Sequence, residues 1–285
     1  MPKLREGENG HLAQSILDAY NDPSGPFVGA IIEGQLRTGK TVYAIKTMRD
    51  VFRTLDGSTN EEAYKKAIET VNFELDPFLE SIGRRQLEIK NNLPKIDWKM
   101  RYPCRCLDDS SLYAGTDLYF RDLSLYSSFS NCMTTVGSAT SGMLITAPAK
   151  ESLSKPLREY YNYLVVSIVK CGGWEREAVI KEWYPHGMSR TLRLREVARD
   201  CFTAHIPTEQ YAMYLAPRLE KGVQAVHDAL AASRAKATEV TGPTTEIEGA
   251  ATEVLKLKPG PRSKKQPKRR HLPRPAELAG GKLDR

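Results

Sequence analysis

The apolar residues of this chain form short continuous runs and helical stripes that alternate along residues 1–232. The run 27–32 is almost entirely apolar, which is typical of a strand buried on both faces of a parallel sheet. After a glycine-containing loop, the segment 41–55 carries apolar residues at helical spacing. Its predicted buried face consists of Val42, Ile45, Met48 (or Arg49), Val51 and Phe52. This order of strand, loop and helix predicts the opening unit of an α/β fold.

Later segments continue the alternation of strands and helices. Further strands are predicted at 98–107, 143–148, 161–170, 177–184 and 201–205. The pair Gly172-Gly173 predicts a hairpin or bend between the third and fourth of these strands.

Helices are predicted at 150–160 and from Pro207 onward. Proline is favoured in the first turn of a helix, and apolar residues follow it at helical spacing: Tyr211, Tyr214, Leu215, Leu219 and Val223. If helical, the segment 188–200 would spread its four arginines widely around the axis, which indicates a solvated face.

The charge changes the picture only when it is resolved along the chain. The 285 residues contain 42 Lys or Arg and 35 Asp or Glu, a net charge of +7. Residues 256–285 hold eleven basic residues, two acidic ones and five prolines, so they carry +9 and the rest carries −2. Such a segment cannot bury enough apolar surface to offset its ordering entropy. We therefore predict a domain at 1–232, a linker at 233–255 and a disordered basic tail at 256–285.

Three features bear on the compartment. No apolar run reaches the roughly 18 residues of a membrane helix, and the first residues lack the apolar stretch of a secretory signal. The five cysteines show no pairing pattern of a disulfide framework. We expect a cytoplasmic protein without a transmembrane segment.

The loop after the first strand carries the full pattern G-x-x-x-x-G-K-T. It consists of Gly34, Gln35, Leu36, Arg37, Thr38, Gly39, Lys40 and Thr41. The glycines let backbone N–H groups point inward at a phosphate chain, next to a helix N-terminus. Lys40 can reach β- and γ-phosphate oxygens, and the Thr41 hydroxyl can coordinate Mg²⁺. The sequence thus predicts binding of ATP and Mg²⁺ by a three-layer α/β P-loop NTPase sandwich with a mostly parallel central sheet.

A P-loop needs a carboxylate at the end of another strand to hold Mg²⁺ through water. Asp108 and Asp109 follow the predicted strand 98–107. We assign Asp108 to the metal and Asp109 to activation of the attacking water. The alternative is an Asp-Asp-Ser-Ser turn whose carboxylates cap the next helix. The strand is less apolar than usual because Pro103 and Arg105 interrupt it.

Thr146 stands near the end of the strand 143–148. A hydroxyl beside the phosphate loop can sense the γ-phosphate or position water, and the alternative role is a helix cap. Cys104 and Cys106 point to one face of their strand, and no second cysteine or histidine pair lies at metal-binding spacing. We interpret both as small residues packed within the sheet.

Taken in order, the segments GQLRTGKT, the DD pair, the strand ending LITAP and the helix KESLSKPLR resemble P-loop ATPases of the additional-strand class. Within that class the chain is most similar to small ATPases of archaeal viruses and plasmids, over about 27–220, including HIPTEQYAMYLAPR near the end of this range. It departs from their pattern at 104–106, where Cys-Arg-Cys replaces an apolar run. It also has Asp109 where many relatives carry glutamate.

The resemblance implies a sheet with the P-loop strand in the centre, flanked by the Thr146 strand and then by the Asp108 strand. It also implies a homo-oligomeric ring in which a neighbouring subunit supplies an arginine. Arg158 is the first candidate for this role, followed by Arg84, Arg85 and Arg190. A surface arginine in a local ion pair is the alternative for each.

Three functions fit these features. The first is an ATPase acting on or with nucleic acid, such as a DNA translocase, packaging motor or helicase-like motor of a mobile element, located in the host cytoplasm if viral. The tail 256–285 would then add a salt-sensitive attraction to phosphates. The second is a switch or adaptor that hydrolyses slowly and docks a protein or an anionic membrane surface. The third is a small-molecule kinase, with 190–199 as an arginine-rich lid.

Overall fold

The computed structural model describes residues 9–94, 97–109, 122–154, 163–185 and 192–240, without the side chains at 225, 228, 229 and 232–240. The chain divides into a compact unit that extends to Ala231 and a second unit, Ala232–Arg285. The predicted tail at 256–285 and the linker residues after Val240 lie outside the described residues.

Helices and strands alternate along the compact unit. The helices are α1 (His11–Asn21), α2 (Lys40–Asp56), α3 (Asn60–Glu69), α4 (Leu75–Asn91), α5 (Leu123–Thr135) and α6 (Thr208–Val240). The strands are β1 (Val28–Glu33), β2 (Val71–Asn72), β3 (Tyr102–Leu107), β4 (Thr140–Ala147), β5 (Tyr163–Gly172), β6 (Glu175–Pro185) and β7 (Leu192–Thr203).

The strands described here form one sheet in the order β2-β3-β4-β1-β5-β6-β7. The pairs from β2 to β5 are parallel, whereas β6 and β7 are added in antiparallel hairpin fashion. Strand β1, which leads into the phosphate loop, pairs with β4, and β4 pairs with β3. The implied order of the P-loop, Thr146 and Asp108 strands is therefore confirmed.

Both faces of the sheet are buried, which the apolar run at 27–32 predicts. Alternate residues of β1 enter different cores: Ile32 packs with side chains of α1, α2 and α3, and Ile31 packs with those of α4 and α5. On α2, Ile45, Met48 and Val51 are fully buried, as their spacing predicts. The three-layer α/β sandwich is confirmed.

The arginine-rich segment 188–200 is not a helix in its described part. Leu192–Thr203 is a strand that pairs along its length with β6. Arg195 lies beside Glu182 across the hairpin, and Arg199 contacts Glu177 across the hairpin and Glu196 on its own strand, where the pairing with β6 shifts in register. These ion pairs stabilise a sheet position that helical spacing alone does not reveal.

The predicted helix at 150–160 is also incorrect where it is described. Lys150–Ser152 forms a single 3₁₀ turn, and Leu153 after it is extended. The Lys150 N–H donates to Glu33 Oε2 at 3.2 Å, so this turn is tied to the end of β1. Residues 155–162, which include Arg158, lie outside the described residues.

Helix α6 begins at Thr208, one residue after its predicted start at Pro207, and continues to Val240 with Pro217 inside it. It therefore extends into the 233–255 range that composition predicts to be a linker. In the described part of the chain, no helix has the length and apolar character needed to cross a membrane.

Candidate functional site

The phosphate loop connects β1 to α2 at the carboxyl edge of the parallel strands. Gly39 adopts a left-handed conformation (φ 99°) as the N-cap of α2, and Gly34 has φ 153°. A Cβ on Gly34 would lie 2.9 Å from Thr38 Oγ1, so the loop excludes a side chain there. The turn is closed by Thr38, whose N–H and hydroxyl both donate to the Gln35 carbonyl. This geometry suits a backbone cradle for an anion.

Lys40 is the cation of the loop. Its Nζ donates to the carbonyl oxygens of Gly34 at 2.9 Å and Gln35 at 3.1 Å, and only 7% of the residue is exposed. Burial lowers the pKa of Lys40, and the nearby carboxylates of Asp109 and Asp108 oppose this shift. The ammonium group therefore lies between the phosphate loop and the acidic pair.

Asp108 is fully buried and receives hydroxyl groups from two neighbouring elements. Thr41 at the start of α2 donates to Asp108 Oδ1 at 2.7 Å, and Thr146 on β4 donates to the same oxygen at 2.6 Å. A hydroxyl and a carboxylate oxygen are the hard ligands that Mg²⁺ takes alongside phosphate oxygens and water. Thr41 and Asp108 thus fit a Mg²⁺ ion shared with a phosphate chain.

Asp109 occupies the turn directly after β3. It has a left-handed backbone (φ 47°), and its N–H donates to Thr146 Oγ1 at 2.9 Å. Its carboxylate forms an ion pair with Arg218. Burial, and next the charge of Asp108, raise the pKa of Asp109, while Arg218 and Lys40 counteract the shift. Thr146 therefore links the two acidic residues through one hydroxyl.

Helix α6 contributes two side chains that the sequence reasoning does not place in the site. The Tyr214 hydroxyl donates to Asp108 Oδ2 at 2.9 Å, and it accepts from Arg218 Nη1 at 2.6 Å. Burial and the charge of Asp108 raise the pKa of Tyr214, so its hydroxyl stays protonated. Tyr214 and Arg218 are one helical turn apart, so a single face of α6 covers both carboxylates.

Arg176 on β6 supports the phosphate loop from the hairpin side. Its Nε donates to the Thr38 carbonyl at 3.0 Å, and its Nη1 donates to the carbonyls of Gly173 at 2.9 Å and Glu175 at 2.7 Å. This buried guanidinium connects the loop to the turn between β5 and β6.

These groups surround a cavity of about 720 Å³. From the predicted site it is lined by Leu36, Arg37, Gly39, Lys40, Thr41 and Asp109. Its other walls come from the β5–β6 turn, the β7–α6 loop and α6: Trp174, Arg176, Ala204, His205, Ile206, Thr208, Tyr211, Tyr214 and Arg218, with Val42 from α2. Asp108 and Thr146 are buried behind this wall and form hydrogen bonds with residues that line the cavity: Thr41, Asp109 and Tyr214.

Some predicted residues are not brought to the cavity. Arg84 is exposed on α4, and Arg85 pairs with Glu88 and lies over the Tyr102 ring. Arg158 and Arg190 lie outside the described residues. The role of a neighbouring subunit's arginine stays a prediction for all four.

Cys104 and Cys106 are packed on the β3 face toward α1 and α2, and both are fully buried. Burial raises the pKa of Cys104 to about 12, so the thiol stays protonated. Among the described residues, no group of three or more His, Cys, Asp or Glu side chains could hold a metal ion.

Sequence reasoning missed Tyr214, Arg218 and Arg176. Tyr214 and Arg218 are four residues apart in a predicted helix, so the sequence does indicate that they share a face. The spacing of apolar residues, however, assigns Tyr214 to the apolar face of that helix and therefore to the core. Arg176 follows the Gly-Gly turn and gives no local signal, since its contact with Thr38 joins distant parts of the chain.

Comparison with known proteins gives distant similarities. No protein-family profile matches the chain. It is 25% identical over 148 residues to "Uncharacterized protein B-251" of Sulfolobus spindle-shape virus 1, a segment that spans about half of each chain (52% and 53%). Among solved structures, an ATPase domain matches 60% of this chain and 80% of its own, at 9% identity and a TM-score of 0.31. A KaiC-like protein from Pyrococcus horikoshii OT3 matches 61% and 89%, at 16% identity and a TM-score of 0.30.

Proposed function

We propose that this chain is a Mg²⁺-dependent ATPase that works with nucleic acid. The observation that carries the proposal is the meeting of three separate elements at one edge of the sheet. The phosphate loop and the start of α2 supply Lys40 and Thr41, the turn after β3 supplies the acidic pair, and β4 supplies Thr146. The Thr41–Asp108 hydrogen bond of 2.7 Å joins the first two of these directly.

Each group has a role that its position supports. Backbone N–H groups and Lys40 would hold the phosphates, and Thr41 with Asp108 would hold the Mg²⁺ ion that neutralises them. Asp109 would orient the attacking water, with Thr146 fixing its backbone. The chemistry is phosphoryl transfer to water, in which positioning and charge supply most of the catalysis.

The part played by nucleic acid rests on the sequence. The basic segment 256–285 carries +9, whereas the residues before it carry −2. Such a segment attracts a polyanion without reading its bases. The resemblance to small ATPases of archaeal viruses and plasmids supports the same proposal. A homo-oligomeric assembly belongs to this proposal too.

Phosphate release from Mg-ATP, with and without single- and double-stranded DNA, tests the function. We expect DNA to raise the rate several-fold. Lys40→Ala should lower it roughly 100-fold or more, because a positioned charge on the phosphates is lost. Lys65→Ala, on the exposed face of α3, is the matched control and should hydrolyse like the wild type.

A nucleotide-dependent switch is the second candidate, and a specific observation favours it. The Asp109 carboxylate is ion-paired with Arg218, and the Asp108 carboxylate is bonded to Tyr214, both from α6. Slow turnover with unchanged rates in DNA, together with tight nucleotide binding, would favour the switch. Transfer of phosphate to a small molecule would instead indicate a kinase and contradict both proposals.

A further inference from the structure

The cavity beside the phosphate loop has an exposed aromatic wall. Among the described residues, the two most exposed large apolar side chains are Leu36 (76%) and Trp174 (66%), and both line this cavity. The Trp174 indole lies edge-on to the His205 ring with centroids 6.4 Å apart, and Tyr211 lines the same space. Covering large apolar side chains with a ligand is favourable, because it removes their surface from water.

The position of Trp174 is fixed by its backbone. Its carbonyl accepts the Ala204 N–H at 2.7 Å, which ties the β5–β6 turn to the loop that leads into α6. On the other side, Arg176 joins the same turn to the phosphate loop through the Thr38 carbonyl. The backbone of Trp174 is therefore held at a set place relative to the phosphate loop, and its mostly exposed ring lies edge-on to His205.

The phosphate loop alone cannot recognise more than phosphates, because its contacts are backbone N–H groups and one ammonium. The cavity of about 720 Å³ lies within the size range of sites for whole small molecules, roughly 300–1,000 Å³. A planar aromatic ligand would find in Trp174 a large ring that needs no matching hydrogen bond. An anionic end joined to a planar ring is the chemistry of a nucleotide.

We propose that Trp174 is the stacking platform for the nucleobase of the nucleotide whose phosphates lie on the loop 34–41. This inference rests on the proposed function, since it names the part of the site that holds the base. The cavity wall formed by His205 and Tyr211 borders the same ring. Recognition by stacking predicts that purine nucleotides bind more tightly than pyrimidine nucleotides, because the larger base covers more of the indole.

Two ligands separate the base from the phosphates. Dissociation constants of Mg-ATP and Mg-tripolyphosphate should be measured for the full chain, for Trp174→Ala and for the conservative Trp174→Phe. Base stacking on an aromatic residue accounts for roughly a tenfold change in affinity. We expect Trp174→Ala to raise the dissociation constant of Mg-ATP about tenfold. The dissociation constant of Mg-tripolyphosphate should stay within about twofold of the wild-type value. Trp174→Phe should keep most of the ATP affinity.

A change in ATP affinity that tripolyphosphate shares equally, or no change in either, would overturn the base site. Intrinsic fluorescence gives a second readout that does not depend on an alanine variant. ATP should change the tryptophan emission of the wild type, tripolyphosphate should not, and the change should be absent in Trp174→Phe. Emission that responds to ATP equally in Trp174→Phe contradicts the proposal.

The outcomes also distinguish a failure of this inference from a failure of the proposed function. They further distinguish the base of a bound nucleotide from the bases of a nucleic acid. If Lys40→Ala leaves the affinity for both ligands unchanged, the phosphate site itself is wrong. A single-stranded oligonucleotide without a triphosphate tests the other source of bases. Loss of oligonucleotide binding in Trp174→Ala, with unchanged ATP affinity, would assign the ring to nucleic acid and overturn the proposal.

Discussion

At the scale of single residues, the site is built around one carboxylate held by three hydroxyl groups. Thr41, Thr146 and Tyr214 all donate to Asp108, and they come from α2, β4 and α6. Because each hydroxyl sits on a different element, the orientation of the carboxylate depends on the relative placement of all three. The buried Asp108 carboxylate is thus satisfied by hydrogen bonds from hydroxyl groups.

Arg218 should support both nucleotide binding and hydrolysis. Its guanidinium offsets the charge of Asp109, which would otherwise repel the phosphates held nearby. We expect Arg218→Ala to lower the affinity for Mg-ATP and to reduce the rate of hydrolysis by roughly tenfold or more. A tenfold loss of rate corresponds to about 1.4 kcal/mol in activation free energy. Arg218→Lys should recover only part of the activity, because an ammonium cannot contact Tyr214 and Asp109 in the same fork. Steady-state kinetics of the two variants check this, and faster hydrolysis in Arg218→Ala would contradict it.

Lys46 makes stability depend on pH in the alkaline range. Burial, and next the charge of Arg49, lower the pKa of Lys46 to about 8, below the usual value of 10.5. Below about pH 8 the folded state carries a partly buried ammonium; between about pH 8 and 10.5 it has lost this proton while the unfolded state retains it. The free energy of unfolding therefore rises with pH across this window.

The matching measurement compares the Tm of the wild type and of Lys46→Met at about pH 7 and about pH 10. At the lower pH we expect Lys46→Met to have a higher Tm than the wild type, because the wild type buries an ammonium group. At the higher pH this difference should shrink, because Lys46 is then uncharged in the folded wild type. Lys65→Met, on an exposed face of α3, serves as the control for removing a lysine. A Tm difference that does not vary with pH would contradict the assignment.

At the scale of elements, helix α1 depends on a carboxylate that is distant from it in the sequence. Asp200 on β7 is buried and accepts the His11 N–H at 2.8 Å, the Leu12 N–H at 3.5 Å and the Tyr43 hydroxyl at 2.6 Å. The first turn of α1 thus has its N-terminal donors satisfied by a residue outside the helix. This contact joins α1, α2 and β7 at the edge of the core.

Replacing Asp200 by Ala should destabilise the protein by about 2–4 kcal/mol, because a helix cap and a buried hydroxyl partner are lost together. Tyr43→Phe removes only the hydroxyl and should cost about 1 kcal/mol. Urea unfolding of both variants measures the difference in free energy. Equal costs for the two variants would mean that the helix N-terminus gains little from Asp200.

The elements also show what the sequence could and could not predict. Strand β1, the phosphate loop and α2 were predictable, since their residues act locally and the periodicity of burial is strong. Strand β3 looks too polar in the sequence because part of what accommodates its arginine comes from a distant helix. Arg105 stacks on the Tyr102 ring at 3.9 Å, and Arg85 from α4 lies over the same ring at 4.1 Å. The polar residue of the strand is thus accommodated by a stack that includes a distant helix.

Two other elements are missed by the sequence predictions. Arg193, Arg195 and Arg199 stand an even number of residues apart, a strand pattern that a helical interpretation of this segment overlooks, and the strand pairs with β6. Helix α1 is absent from the sequence predictions, although Leu12, Ala13, Ile16 and Leu17 are buried at helical spacing. Its N-terminus lacks a local side-chain cap, because the cap is Asp200.

At the scale of the whole molecule, charge and fold are separated along the chain. The compact unit ends at Ala231, and residues 1–231 hold 29 basic and 29 acidic residues, so their net charge is zero. The proposed affinity of this unit for phosphate would therefore come from local geometry: the loop backbone, Lys40, and a metal ion held by Thr41 and Asp108. The proposed attraction to a long polyanion, by contrast, would follow from the number of basic residues in 256–285.

This separation predicts that the two affinities can be removed independently. A chain ending at Val240 should bind Mg-ATP with unchanged affinity and should lose most of its affinity for DNA. The salt dependence identifies the cause, because each phosphate contact adds about 0.9 to the slope of log K against log salt. A full-length variant with Gln at five basic positions keeps the length of the tail: 264, 265, 268, 269 and 270. It should bind DNA with a shallower slope than the wild type. If its slope matches that of the wild type, the DNA contacts lie on the compact unit, and the exposed basic residues around the cavity would be the next to test.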